Sequence, residues 1–253
     1  MISLNPKISI ITPCYNASVY LGMCIESVIA QTFVDWEMII VDDCSTDNSA
    51  DIIKAYQQND SRIKYFKTPY PSGSPAQPRN IGIGEAKGRY LAFLDADDIW
   101  LPQKLEEQIK CIELHKSCMV FSNYEKIDNA GNKSHRIITA PSVVTLKDMY
   151  CGNPIGCLTA FVDSSIVGKF QFRNMHHEDC IAWIEIIREF GNAYNTNTVN
   201  AYYRESEQSV SRNKLKILGW QWKIYREILH FGIFKSIYYY IQYAYRGLKK
   251  VLI

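Results

Sequence analysis

Apolar and polar positions alternate along the first hundred residues in a manner typical of strands followed by helices. Short apolar runs rich in β-branched residues predict strands, and apolar residues spaced three or four apart predict amphipathic helices. The predicted strands are residues 8–12, 36–41, 63–66 and 90–94, the helices are 20–31, 45–56 and 79–86, and 68–78 is a proline-rich loop. This alternation favours right-handed crossovers and a mainly parallel sheet, so we predict an α/β fold.

The second half of the chain has a less regular pattern. Residues 105–115 and 179–190 predict helices, the second one ended by Gly191, while residues 156–162 predict a strand. Residues 119–128 and 135–139 predict two strands paired around a polar turn. We therefore divide the chain into a main domain, residues 1–212, and an amphipathic helical tail, residues 213–253.

Three of the predicted strands end in polar clusters. The clusters are Pro13-Cys14-Tyr15-Asn16, Asp42-Asp43 and Asp95-Ala96-Asp97-Asp98. Because the carboxyl ends of parallel strands meet at one edge of the sheet, these side chains are expected to gather there. Ligands of open α/β sheets bind at that edge, so the pattern predicts a binding site.

The closely spaced carboxylates of the third cluster indicate a cation. Asp95, Asp97 and Asp98 repel one another, and hard oxygen ligands suit Mg²⁺ or Mn²⁺ completed by water and a diphosphate. An acidic turn that caps a helix would place aspartates in the same way, and spacing alone leaves both interpretations open. Arg79, at the start of the preceding helix, could clamp a diphosphate or form an ordinary salt bridge.

An ordered set of short motifs resembles the family 2 glycosyltransferases, which have the GT-A fold. The motifs are ISIITPCYN at 8–16, ESVIAQT at 26–32, IVDDCSTD at 40–47, PRNIG at 78–82 and GRYLAFLDADD at 88–98. The resemblance extends over residues 6–212. It is closest to bacterial enzymes of teichuronic acid, capsule or O-antigen synthesis, which the stretches 155–159 and 203–211 support. It implies a Rossmann-like, nucleotide-binding mixed sheet flanked by helices.

The resemblance assigns roles to individual residues. Residues 1–98 would form the nucleotide-binding half of the domain and residues 99–212 the acceptor-binding half. On the nucleotide, Pro13 and Tyr15 would lie against uracil and Asp43 would bind the base. Asp95 would contact ribose or metal-bound water, and Asp97 would bind Mn²⁺ or Mg²⁺. The remaining roles are those of Arg79, which would hold the nucleotide, and of Asp179, the general base.

The assignment of the general base rests on a short motif that also has an ordinary structural interpretation. Glu178-Asp179 matches the E-D motif of the family, yet acidic residues are also favoured in the first turn of any helix. His176 and His177 precede the pair and are interpreted as loop or acceptor-site residues. Tyr203-Arg204 with Ser209 and Ser211 resembles a closing segment near the diphosphate.

These assignments predict a metal-dependent inverting glycosyltransferase that uses a UDP-sugar. The acceptor would be a saccharide linked to a polyprenyl diphosphate, and an α-linked UDP-hexose would yield a β-linked product. Glucose or galactose is the expected sugar, with N-acetylated sugars and uronic acids left open. The alternatives are a sugar nucleotidyltransferase, which needs a glycine-rich loop that residues 12–16 lack, and a non-catalytic nucleotide-sugar-binding subunit.

Charge is divided unevenly within a nearly neutral chain. The 253 residues carry a formal charge of +2, so no nucleic-acid partner is expected. Residues 214–253, however, hold eight basic side chains and one acidic one, which leaves −5 for residues 1–213. A basic, aromatic helix can lie on an anionic membrane, although it could instead pack on the main domain.

The cellular compartment is inferred from weaker signals. The sequence starts without a recognisable signal peptide, and its eight cysteines show no C-x-x-C pair, which favours reduced thiols. We therefore expect a cytoplasmic enzyme that is peripheral on the inner face of the bacterial cytoplasmic membrane.

Overall fold

The computed structural model describes residues 6–205 and 214–252, with the side chains of 214–217 and 248–252 excluded. The helices are α1 (Leu21–Ile29), α2 (Ser49–Asn59), α3 (Ala76–Glu85), α4 (Lys104–His115), α5 (Leu146–Tyr150), α6 (Ser164–Val167), α7 (Glu178–Phe190), α8 (Lys214–Lys223) and α9 (Ile233–Leu252). The strands are β1 (Ile8–Cys14), β2 (Trp36–Asp42), β3 (Ile63–Lys67), β4 (Tyr90–Phe93), β5 (Ile99–Trp100), β6 (Met119–Ile127), β7 (Lys133–Ile138), β8 (Val143–Val144), β9 (Phe161–Asp163) and β10 (Ala193–Arg204).

These strands form one mixed sheet, which confirms the α/β prediction. Its order is β3-β2-β1-β4-β9-β6-β10-β5, with β7 beside β6 and β8 beside β10. The first four strands are mutually parallel, as predicted, whereas β9 is antiparallel to both of its neighbours. Helices α1, α2 and α4 cover one face and α3, α5 and α7 the other, so β1 alternates its buried side chains between two cores.

Two sequence predictions are corrected by the fold. Residues 156–162 are not a continuous strand: a 3-10 turn occupies Cys157–Thr159, and β9 begins only at Phe161. The helix predicted from residue 45 begins at Ser49 instead. Ser45 donates its backbone N–H to Asp42 and its hydroxyl accepts from Asn16, so it shapes the loop before the helix.

A glycine allows α3 to approach the middle of the sheet. A Cβ atom at Gly82 would lie 2.6 Å from the side chain of Ile11 on β1, well inside van der Waals contact. The close approach carries the buried Arg79, one turn earlier on α3, to the sheet edge where β1 and β4 end. Gly82→Ala would therefore force either this helix or the Ile11 side chain to shift.

The tail forms two helices that pack on the main domain. Ile224 and Tyr225, in a π-helical turn after α8, are fully buried, and the Tyr225 hydroxyl donates to the Tyr150 carbonyl at 2.6 Å. The Trp220 ring of α8 stacks on His176 with ring centres 3.7 Å apart. Among the described residues, no helix is long and apolar enough to cross a membrane.

Candidate active site

The three polar clusters do meet at one edge of the sheet. Cys14 at the end of β1 pairs with Asp42 at the end of β2, and the Asp43 N–H donates to the Cys14 carbonyl at 2.7 Å. On the other side of β1, the Leu94 N–H donates to Ile11, which brings Asp95 to the same edge. The parallel register thus assembles the predicted site.

The residues predicted to bind the nucleotide base lie at the ends of β1 and β2. Tyr15 is 58% exposed, so its ring is free to act as a flat surface for a base, and Pro13 lies one residue inside the sheet edge. Asp43 is buried and accepts hydrogen bonds from the Thr68 hydroxyl and from the N–H and hydroxyl of Ser72. Their contacts with a base remain predictions.

The three neighbouring aspartates have different surroundings. Asp95 is partly exposed and pairs with Arg79, whereas burial, and then the charge of Asp95, raise the pKa of Asp97 to about 6. Asp98 is buried and accepts the backbone N–H of Arg204 at 2.9 Å. Asp95 and Asp97 are thus partly accessible, while Asp98 is buried and joins this turn to β10.

A buried arginine connects the two groups of acidic residues. Arg79 is 3% exposed and donates to Asp95 at 2.6 Å and to Glu178 at 2.7 Å. This bridge joins the end of β4 to the first turn of α7, which are 83 or more residues apart in sequence. The predicted role of Arg79 as a nucleotide ligand stays a prediction, since both terminal nitrogens already contact carboxylates.

Asp179, next to Glu178, has the properties of a proton acceptor. Desolvation, and then the charge of Glu178, raise its pKa to about 7, against the opposing effect of Arg79. The Asn153 amide donates to one carboxylate oxygen at 2.9 Å, and the Cys180 N–H donates to the other at 2.7 Å. A carboxylate with a pKa near neutrality and a fixed orientation suits general base catalysis.

The residues fit a divalent metal that is shared with a substrate. No group of three or more potential ligands is preassembled among the described residues, so a cation would rely on few protein oxygens. Asp97 is a carboxylate whose ionisation is disfavoured by its surroundings, and a neighbouring cation would relieve that cost. Mg²⁺ typically takes one or two carboxylates and completes its shell with water and phosphate oxygens.

Sequence reasoning missed several residues around the site. Asn153 belongs to no recognised motif. Glu178 was recognised as part of the E-D motif, but its ion pair with Arg79 was not predicted. Arg204, seen only as part of a possible closing segment, donates from Nε to the Asp97 carbonyl and lies over the Tyr20 ring. His177, immediately before α7, has a left-handed backbone with φ of 62° and packs edge-on against Trp220. Ser209 and Ser211 lie outside the described residues.

Activity should depend on the ionisation of Asp179. The base must lose its proton to act, so log kcat/KM is expected to fall by about one unit per pH unit below pH 7. Asn153→Ala removes a hydrogen bond that favours the ionised form, and should therefore move this decline to higher pH. Initial rates measured from pH 5 to 9 test both points. Asn59→Ala, on α2, is the control and should keep the wild-type pH profile. An unshifted pH profile for Asn153→Ala would contradict the assignment of Asp179 as the base.

Comparison with known sequences finds a family and close relatives. The model of the family described as "Glycosyl transferase family 2" matches residues 9–162. The putative teichuronic acid biosynthesis glycosyltransferase TuaG of Bacillus subtilis is 37% identical over all of this chain and all of its own length. An Escherichia coli protein, UDP-Glc:alpha-D-GlcNAc-diphosphoundecaprenol beta-1,3-glucosyltransferase WfgD, is 36% identical over 96% of this chain and 94% of its own.

Solved structures share the architecture at lower sequence identity. S. aureus TarS 1–349 in complex with UDP-GlcNAc superposes with a TM-score of 0.70 at 21% identity, covering 87% of this chain and 67% of that one. At this identity the similarity establishes the fold, which is the GT-A type.

Proposed function

We propose that this chain, which belongs to glycosyl transferase family 2, moves a hexose from a UDP-sugar to a lipid-diphosphate-linked saccharide during bacterial surface polysaccharide assembly. The transfer would invert the anomeric centre. Family membership weighs against the nucleotidyltransferase alternative. The observation that carries the proposal is the arrangement around Arg79, which holds the Asp95 turn and the Asp179 helix at the same sheet edge.

The donor would bind along the ends of the parallel strands. Exposed Tyr15 and partly buried Pro13 would offer an apolar surface for uracil, and Asp43 lies beside them at the end of β2. Asp43 has both carboxylate oxygens engaged by Thr68 and Ser72, so it would bind the base with its remaining lone pairs. The diphosphate would then point toward Asp95 and Asp97.

The acceptor hydroxyl would be activated from the opposite side. Asp179 lies on α7, held by Asn153 and by the Cys180 N–H, and would remove the proton as the hydroxyl attacks the anomeric carbon. A single base opposite the leaving diphosphate produces inversion, by the geometry known from inverting glycosidases. Glu178 would orient this helix turn through Arg79.

Mn²⁺ or Mg²⁺ would be held by Asp97, with Asp95 contacting it directly or through water. When bound, the cation stabilises negative charge on the departing diphosphate. The donor set fits such a role because Asp95 and Asp97 are partly accessible, while Asp98 accepts the backbone N–H of Arg204.

The relatives suggest specific substrates. WfgD is named for transfer from UDP-glucose to GlcNAc on diphosphoundecaprenol with a β-1,3 linkage, and it aligns with nearly the whole chain. We therefore propose glucose first and galactose second as the donor sugar, and a polyprenyl-diphosphate-linked GlcNAc as the first acceptor to test. With a lipid-anchored acceptor, the enzyme would work at the inner face of the cytoplasmic membrane, with its basic tail at the anionic surface.

A donor and metal screen tests this proposal. Purified protein is incubated with GlcNAc-α-diphosphate-lipid and UDP-glucose, UDP-galactose, UDP-GlcNAc or UDP-glucuronate, with Mn²⁺, Mg²⁺ or EDTA. We expect sugar transfer from one UDP-hexose, with an activity loss of about 100-fold or more in EDTA. The absence of transfer from every donor, together with no UDP binding by calorimetry, would contradict the proposal.

A further inference from the structure

The outward side of α9 carries a row of exposed apolar side chains. Phe234, Ile237, Tyr238, Ile241 and Tyr245 are between 44% and 86% exposed, with Phe234 the most exposed. At about 100° per residue, these five positions fall within an arc of about 100° on the helix surface. We call these five residues the apolar stripe.

The opposite side of α9 is attached to the main domain. Ser236 is fully buried, the Tyr239 ring packs against Tyr150 with centres 5.2 Å apart, and Tyr243 lies against Gly152. Near the end of the described side chains, Arg246 pairs with Asp148 at 3.2 Å. The helix is therefore held in a fixed orientation, and the apolar stripe is the side that nothing in the described chain covers.

The charged residues of α9 itself are of one sign. Residues 233–252 contain four basic residues and no aspartate or glutamate. On the helix, Lys235 and Arg246 follow one flank of the stripe. A second copy docking through this face would bring two sets of positive charges together with no acidic partner on the helix, which disfavours a self-contact.

We propose that the apolar stripe enters the interface of an anionic lipid bilayer, with α9 parallel to the surface. Phenylalanine, isoleucine and tyrosine on one face with lysine and arginine at its border is the pattern of an interfacial helix. Anionic headgroups complement the basic flank. The inference rests on the proposed function in one respect, namely that the acceptor is attached to a lipid.

The inner side of α9, opposite the apolar stripe, lies close to the active site. Tyr243 contacts Gly152, and the next residue, Asn153, donates to Asp179. The inner side of α9 is thus separated from Asp179 by one short segment, residues 148–153. A saccharide projecting from a membrane-embedded lipid would reach Asp179 from this side.

Vesicle binding by the full chain tests the inference. Phe234 and Ile241 are both replaced by Glu, and co-sedimentation is measured with vesicles of phosphatidylglycerol and phosphatidylcholine and with pure phosphatidylcholine. Wild-type protein should bind the anionic vesicles, and the double variant should bind about tenfold less or weaker still. The matched control is Leu114→Glu, an equally exposed apolar residue on α4, which should bind as wild type.

Three results would overturn the inference. The first is that wild-type protein does not sediment with anionic vesicles, and the second is that the double variant sediments like wild type. The third is that wild-type protein is a dimer in ultracentrifugation whereas the double variant is a monomer. Transfer to a water-soluble, short-chain acceptor separates this inference from the proposed function. The double variant should retain transfer to that acceptor. If wild-type protein binds vesicles but transfers no sugar, only the proposed function is rejected.

Discussion

Asp179→Asn is expected to lower kcat by about 10³-fold, the typical effect of removing a general base. The substituted side chain keeps the shape of aspartate but cannot accept the acceptor's proton. Its carbonyl oxygen can still accept the Cys180 N–H, so the turn at the start of α7 should persist. Initial rates at saturating donor and acceptor measure the loss, and calorimetry with UDP should show donor binding close to that of wild type.

The control for this variant is Asp51→Asn on the exposed side of α2, which should leave the rate unchanged. Thermal unfolding should show both proteins folded. Asp179→Asn with more than a tenth of the wild-type rate would reject Asp179 as the base, and the acceptor would then have to be deprotonated by another group.

Arg79→Met should destabilise the protein by about 3 kcal/mol or more, because it leaves two acidic side chains at a buried site without their cation. Asp95 and Glu178 both pair with this guanidinium, and Arg79 itself is almost fully buried. Activity should fall as well, since this bridge connects the Asp95 turn to the Asp179 helix. Urea unfolding at pH 7.5 gives the change in free energy.

A second substitution separates charge from packing in that result. Arg79→Met combined with Glu178→Gln removes one of the two uncompensated charges and should recover about 1 kcal/mol or more of the lost stability. Lys110→Met, which breaks the exposed pair with Glu106, is the control and should cost far less stability than Arg79→Met. Equal instability of the single and double variants would show that Arg79 stabilises by packing alone.

The edge of the sheet was predictable because local sequence determined it. Runs of buried β-branched residues ended in aspartate or in the Pro13-to-Asn16 turn, and parallel pairing necessarily collects such ends on one side. The helix carrying Asp179 was predictable for a similar reason, since its isoleucines repeat at helical spacing. The motif order then indicated the family, which the comparisons confirm.

Other features depended on contacts between distant residues. β10 was missed because its sequence, AYNTNTVNAYYR, is polar and lacks a continuous apolar run; its position is determined by pairing with β6 and β5. The Arg79–Glu178 pair joins residues 99 positions apart, and no local pattern encodes it. Asn153 became part of the site only when its loop was placed beside α7.

The tail packs on the main domain along one side and leaves apolar side chains exposed along the other. Its aromatic residues divide between an inner side, where Tyr225 and Tyr239 pack on Tyr150, and the exposed apolar stripe of α9. Because Ile224 and Tyr225 are buried against the main domain, deletion of residues 214–253 would expose core surface. Point substitutions in the stripe therefore test membrane contact more cleanly than a truncation.

The stereochemistry of the product tests the central claim most directly. Wild-type enzyme is given UDP-α-glucose, or whichever α-linked UDP-hexose it accepts, with a lipid-diphosphate-linked GlcNAc acceptor, and the new glycosidic bond is examined by proton NMR. Single displacement with Asp179 as base predicts a β-linked product, which Asp179→Asn should form about 10³-fold more slowly. An α-linked product from the wild-type enzyme would contradict the proposed mechanism.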